Sequence, residues 1–197
     1  MRVPLASVCV FAGSNPGHDP AFEDAATRLG RVLALRGIEV VTGGGRVGLM
    51  GAVADAAMDA GGRVIGVIPK DLADRELAHH GLSELHVVES MHARKLAMAD
   101  RSQAFIALPG GFGTLEEVME AFTWTQLGIH AKPVGVLDVN DFYRPLLTFL
   151  DAVVTAGFIH SRHRTQFLSA TDPDDLLDDL HRWEPTTISK ALGPEDR

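Results

Sequence analysis

The sequence predicts an α/β protein: a Rossmann-like, doubly wound, mainly parallel sheet with helices on both faces, forming a single domain. Three observations carry that reading. Apolar runs of strand length alternate with amphipathic segments of helix length along the chain. The runs are apolar at consecutive positions, as strands buried on both faces require. Glycine-rich turns follow three of them, at Gly13-Ser14-Asn15, Gly43 to Gly48 and Gly110 to Gly113. In such sheets ligands bind beyond the carboxyl ends of the strands, where these turns collect.

The elements follow in order. Ser7 to Phe11 reads as the first strand, and the spacing of Phe22, Ala25, Ala26, Leu29, Val32 and Leu33 predicts a helix over Pro20 to Arg36, closed by Gly37. Ile38 to Val41 is a second strand, and Leu49 to Ala60 a helix rich in small residues suited to close packing. Val64 to Ile68 is a third strand, stopped by Pro69, and Lys70 to Gly81 is polar and irregular with at most a short helix. Leu85 to Val88 is a short strand, followed by a helix from Met91 to Arg101.

The run Ala104 to Leu108 is a strand that breaks at Pro109-Gly110-Gly111-Phe112-Gly113, and a helix is expected from Thr114. Thr114 with Glu117 three residues later matches a capping box, and Leu115, Val118, Met119 and Phe122 are expected inward. Pro133 to Val139 is a further strand, and Phe142 to Ala156 a helix with Leu146, Leu147, Leu150, Val153 and Val154 inward. Thr165 to Ser169 ends the strands, and Asp172 is the expected N-cap of a final helix. Residues 1–183 are thus expected to form one Rossmann-like domain, and 184–197, poor in apolar residues, a flexible tail.

Composition narrows the function. A formal net charge of −8 argues against a nucleic-acid surface, so any anion site must be a local basic cluster. The single cysteine, Cys9, cannot form an internal disulfide, and neither a signal peptide nor an apolar stretch of membrane-spanning length is present. A cytoplasmic protein without membrane attachment is expected. The 9 histidines give no metal set, since His160 and His163 lack a carboxylate or cysteine partner at zinc-site spacing.

Gly43, Gly45 and Gly48 satisfy G-x-G-x-x-G, yet the next strand ends Val67-Ile68-Pro69-Lys70 without the acid that holds a dinucleotide ribose. A tight turn and a mononucleotide phosphate loop remain as readings, with Gly44 and Gly45, and Gly13 and Ser14 of the first turn, as candidate phosphate contacts. Gly110 to Thr114 is not a Walker loop, because no lysine follows its last glycine. Its glycines let the backbone approach a ligand, and the helix start behind them attracts phosphate. Glu116 does not fit phosphate binding alone, so the site has a second task that needs a carboxylate. Arg94 and Lys95 lie just past a strand's carboxyl end and supply the basic cluster.

Three segments together resemble one family, the LOG ("lonely guy") cytokinin-activating phosphoribohydrolases. They are Pro109-Gly110-Gly111-Phe112-Gly113-Thr114-Leu115-Glu116-Glu117, Met91-His92-Ala93-Arg94-Lys95, and Gly43-Gly44-Gly45-Arg46-Val47-Gly48-Leu49-Met50-Gly51. The resemblance spans about Ser7 to Ser169. It implies hydrolysis of the N-glycosidic bond of N6-modified adenosine 5′-monophosphates to free base and ribose 5-phosphate, without a cofactor. It implies substrate contacts at Glu76, Arg94, Lys95, Gly110, Gly111, Phe112, Gly113, Thr114, Leu115, Glu116 and Thr123, and a homodimer with sites near the interface. Arg94 and a motif glutamate are implied as the catalytic pair. Glu116 is the expected chief carboxylate and Glu117 the second, because the cap already engages Glu117. Such proteins are often labelled lysine decarboxylases, but the only lysines are Lys70, Lys95, Lys132 and Lys190, none with an evident pocket for a pyridine ring. A nucleotide-binding carrier without catalysis is the other alternative.

Overall fold

The computed structural model describes residues 4–186, apart from the side chains of Arg75 and Glu76. The strands are β1 (Ser7–Phe11), β2 (Glu39–Thr42), β3 (Val64–Pro69), β4 (Glu84–Val88), β5 (Ala104–Ala107), β6 (Val134–Leu137) and β7 (Phe167–Ala170). The α-helices are α1 (Pro20–Leu35), α2 (Gly48–Asp59), α3 (Lys70–Leu72), α4 (Met91–Asp100), α5 (Phe112–Leu127), α6 (Arg144–Thr155), α7 (Ser161–Arg164) and α8 (Pro173–Arg182). All seven strands join one sheet in the order β4-β3-β2-β1-β5-β6-β7, and every pairing is parallel. The chain works outward from β1 to one edge, returns beside β1 as β5, and works outward to the other edge. The carboxyl ends of β1 and β5 are therefore the topological switch point, where such sheets leave a crevice.

Alternation along the strands divides the core into two layers. Val8 and Val10 on β1, with Ala104 and Ile106 on β5, pack under α1, α2 and α8. Cys9 and Phe11, with Phe105 and Ala107, pack under α4, α5 and α6. Consecutive apolar residues are needed because both faces are covered. Helices α1 and α2 meet at Gly30, where a Cβ would overlap the Val53 carbonyl. Contact that close is worth the roughly 1 kcal/mol that glycine costs inside a helix.

Several expected boundaries move. Helix α5 starts two residues before Thr114, at Phe112, and Gly111 is its N-cap. The capping box of Thr114 and Glu117 does not form: both lie within the helix, and both side chains are buried. Leu115 and Met119 are only half-buried, and Ala121 takes an inward place instead. On α6 only Leu150 is fully buried, with Leu146, Leu147, Val153 and Val154 at the margin. The segment expected to be irregular holds α3 and one π-helical turn, Ala73–Leu77. Of the expected tail, residues 187–197 lie outside the described residues.

The loop after β6 is tied to the switch point through Tyr143. Its ring is buried in the second layer, and its hydroxyl donates to the Leu108 carbonyl at 2.6 Å, at the end of the β5 run. Tyr143→Phe leaves that carbonyl unpaired, at a cost of about 1–2 kcal/mol. A fall in melting temperature of roughly 2–6 °C is expected; an unchanged melting temperature in calorimetry would show that the tie carries no weight.

Candidate active site

A cavity of about 500 Å³ opens at the switch point. The loop after β1 and the loop after β5 meet there, with Gly13 N–H donating to the Pro109 carbonyl at 3.1 Å. Gly13 has no room for a side chain, since a Cβ would stand 3.2 Å from both Gly110 Cα and Pro109 O. The N-terminus of α5 forms one wall of the cavity, and no side chain caps it. The first N–H groups of a helix have no intrahelical partner. They are thus available to a ligand, as is the positive end of the helix dipole.

The glycines of this loop serve different ends. A Cβ on Gly110 would overlap Thr114 Oγ1, so this glycine makes room for the buried threonine. At Gly111 and Gly113 nothing lies within 4 Å of where a Cβ would stand. The protein itself supplies no reason for glycine at these two positions.

Arg94 comes from the second turn of α4, whose start Ser90 caps by accepting from Ala93 N–H at 3.1 Å. Its side chain runs under the loop after β2 and is 6% exposed. Nε donates to the Val67 carbonyl at 3.2 Å, and Nη1 lies 3.0 Å from Glu117 Oε1. A Cβ on Gly43 would fall within the guanidinium. The first glycine of the G-x-G-x-x-G pattern is therefore a socket for Arg94. Gly44 and Gly48 have positive φ and pack against the Ile68 side chain and the Ser14 backbone respectively. That turn is a folding device and does not line the cavity.

Glu117 faces Arg94 with 7% of its surface exposed. The pair is ionic without hydrogen-bond geometry, so Glu117 Oε1 is a buried acceptor with no hydrogen bond. Burial pushes the Glu117 carboxyl above the usual glutamate range, and the Arg94 charge only partly offsets this. Glu116 has the opposite setting: its side chain is 55% exposed and hydrogen-bonded to Lys95 Nζ at 2.5 Å. Lys95 also meets Glu120 at 2.9 Å. Burial pulls the Lys95 ammonium down, but its bonds to Glu116 and Glu120 outweigh that and leave its pKa raised.

Of the sequence-derived residues, the cavity collects Gly13, Ser14, Arg94, Gly110, Gly111, Phe112, Gly113, Thr114, Glu116 and Glu117. Lys95, Leu115, Thr123, Gly44 and Gly45 lie outside its lining. Thr123 is exposed and donates its hydroxyl to the Met119 carbonyl at 2.7 Å. The Glu76 side chain lies outside the described residues. Sequence reasoning missed the apolar part of the lining, chiefly Phe22, Leu49, Met50, Leu72, Met91 and Phe142. Leu49, Met50 and Met91 stand within quoted segments that were read for their glycines and cations, whereas no motif marks Phe22, Leu72 or Phe142. Among the described residues no lysine lines the cavity and no group of three His, Cys, Asp or Glu side chains can hold a metal.

The pair has a pH signature. A carboxyl raised in the folded state holds its proton more tightly there than in the unfolded chain. Stability is therefore lost as pH rises through the ordinary glutamate range, and the loss is complete above the folded value. Arg94→Met removes the compensating cation and raises Glu117 further. Its unfolding free energy, and with it the melting temperature, is expected to fall further below wild type at pH 8 than at pH 5, the free energy by up to about 1.4 kcal/mol for each further pKa unit. Equal gaps at the two pH values would mean that Arg94 does not compensate Glu117.

Comparison with known proteins supplies the lineage. A family model described as "Possible lysine decarboxylase" matches residues 50–180. The cytokinin riboside 5′-monophosphate phosphoribohydrolase LOG4 of Arabidopsis thaliana is 50% identical over 184 residues, covering 93% of this chain and 86% of its own. A probable enzyme of the same description from Oryza sativa subsp. japonica, LOGL9, is 51% identical over 178 residues, 90% of this chain and 78% of its own. A solved molybdenum cofactor binding protein from the phototrophic bacterium Rippkaea orientalis shares the fold with a TM-score of 0.65 and 26% identity, covering 90% of this chain and 95% of its own. At half identity across nine-tenths of its length, the chain belongs to the LOG family of cytokinin riboside 5′-monophosphate phosphoribohydrolases, the family to which the decarboxylase description is attached.

Proposed function

We propose that the protein hydrolyses the N-glycosidic bond of N6-modified adenosine 5′-monophosphates, and of AMP by the same chemistry, releasing free base and ribose 5-phosphate. The observation that carries this reading is one cavity walled by both an uncapped helix start and the Arg94–Glu117 pair. The names of the plant relatives support the substrate class. The 5′-phosphate sits at the start of α5, where Gly111 and Gly113 leave room for close approach.

Glu117, with Glu116 at the cavity's rim, is the carboxylate of the reaction. Burial raises the basicity of Glu117, while the Lys95 ammonium already engages Glu116. As general base, Glu117 takes a proton from water as the water oxygen bonds to C1′ and the bond from C1′ to the base breaks. The pair of electrons leaves with the base, which Arg94 stabilises, and the proton on Glu117 is then available to the base. The sugar passes through an oxocarbenium-like state that the carboxylate also stabilises.

A pyridoxal-phosphate decarboxylase is not supported. Such an enzyme needs a lysine at its cofactor, and Lys95 is held by two glutamates while Lys132 donates to the Ala99 carbonyl at 2.7 Å. Lys70 pairs with Asp74 at the surface, and Lys190 lies outside the described residues. A nucleotide carrier without catalysis is the second reading, favoured only by the fold shared with the molybdenum cofactor binding protein. The organisation we infer is a single domain over residues 1–183 and a cytoplasmic homodimer. Exposed Phe112 on α5 and Leu96 on α4 supply apolar surface for such an interface.

Chromatography of the base released from AMP, GMP and N6-isopentenyl-AMP tests the reaction. Release from the adenine nucleotides is expected, and binding without release would favour the carrier. Glu117→Gln is expected to lower kcat about 10²–10⁴-fold with nucleotide binding kept. Glu116→Gln is expected to cost less than about tenfold; the reverse order would return the chemistry to Glu116.

A further inference from the structure

We propose that the turn between β6 and α6 determines which base the cavity accepts, because it holds Phe142 against Phe22 as an aromatic wall; this rests on the nucleotide reading above. Phe22 and Phe142 both line the cavity and meet edge to face, with ring centroids 5.7 Å apart. Gly17, also in the lining, packs on the Phe22 ring so closely that a Cβ would stand 2.7 Å from Cδ2. Leu72 and Met91 add apolar lining after β3 and β4, with Met91 Sδ 3.8 Å from Arg94 Nη1. The wall of Gly17, Phe22 and Phe142 carries no charged lining side chain of its own, so it suits a planar base and an apolar substituent on it.

The wall is braced from both sides. Asn140 and Asp141 have φ of 50° and 60°, and they are the only described residues other than glycine with positive φ. Such backbone persists where surrounding contacts impose it, and it gathers at functional sites. Here the contacts are explicit. Asn140 Nδ2 donates to Asp19 Oδ2 at 2.9 Å, and Asp19 Oδ1 accepts from Ala21 N–H at 2.9 Å. Asp19 O also accepts from Phe22 N–H at 3.1 Å. One aspartate therefore fixes both the start of α1, where Phe22 lies, and the turn that ends at Phe142. On the far side Phe142 stacks edge to face on Tyr143, whose N–H donates to Asp138 Oδ1 at 2.7 Å. Asn140 is a positioning residue: it does not itself line the cavity and acts through Phe142.

The test measures Kd for AMP and for N6-isopentenyl-AMP by calorimetry in a Glu117→Gln background, where turnover is suppressed. The isopentenyl nucleotide is expected to bind at least about tenfold tighter. Asn140→Gly keeps the left-handed backbone while removing the side-chain bond, and it is expected to erase most of that preference with little change for AMP. Asn140→Asp alone is expected to do the same, and Asp19→Asn with Asn140→Asp to restore the preference by reversing donor and acceptor. Phe142→Ala is expected to lose the preference irrespective of Asn140. A preference unchanged in both Asn140→Gly and Phe142→Ala, or absent from the parent, would overturn the proposal. Base release by the unmutated protein is scored separately, so failure of the hydrolase reading is distinguishable from failure of the wall.

Discussion

Everything at the switch point depends on placing a guanidinium beside a carboxylate where water is scarce. Arg94 and Glu117 are each less than a tenth exposed, and their mutual attraction does not fully offset the loss of hydration, because Glu117 remains harder to ionise than an ordinary glutamate. A hydrophobic pair of the same volume would cost the fold less. The surrounding architecture exists to hold this costly arrangement. Gly43 gives up its Cβ to the guanidinium, and β3 lends the Val67 carbonyl. Helix α5 begins early enough to turn Glu117 inward. Sheet topology brings these segments together at one place.

Two adjacent glutamates are separated by that arrangement into different roles. Glu116 faces out and is bound by Lys95, whereas Glu117 faces in and lacks a hydrogen-bond donor on Oε1. Lys95 is held between Glu116 and Glu120, so it orients the carboxylate face of α5 and leaves the cavity to a single cation, Arg94, among the described residues. This division suits a site where the phosphate is held by backbone N–H groups. Side-chain charge is then kept for the sugar and the base.

The layered sheet was legible because burial on both faces writes itself into consecutive apolar residues, as in Val8 to Phe11 and Ala104 to Ala107. Most of the polar half of the site was legible too, since glycine turns and paired charges at strand ends are local patterns. What failed was orientation. Thr114 and Glu117 have capping-box spacing, yet Gly111 caps the helix, and a shift of two residues turns Glu117 from the surface to the interior. Spacing alone does not distinguish these registers. The turn Gly43 to Gly48 was open to two readings, a tight turn or a phosphate loop, and its neighbours, Arg94, Ile68, Met50 and the Ser14 backbone, favour the tight turn. The aromatic lining, Phe22 with Phe142, was invisible because its two halves are far apart in the chain and neither carries a motif.

The central claim is that Glu117 and Arg94 flank the bond that breaks. A crystal structure of Glu117→Gln with AMP bound addresses it directly. The account predicts phosphate oxygens at the N–H groups of α5's first turn, with the bond from C1′ to N9 lying between residue 117 and Arg94. A phosphate seated on the Arg94 guanidinium, with the sugar turned toward Glu116, would contradict it.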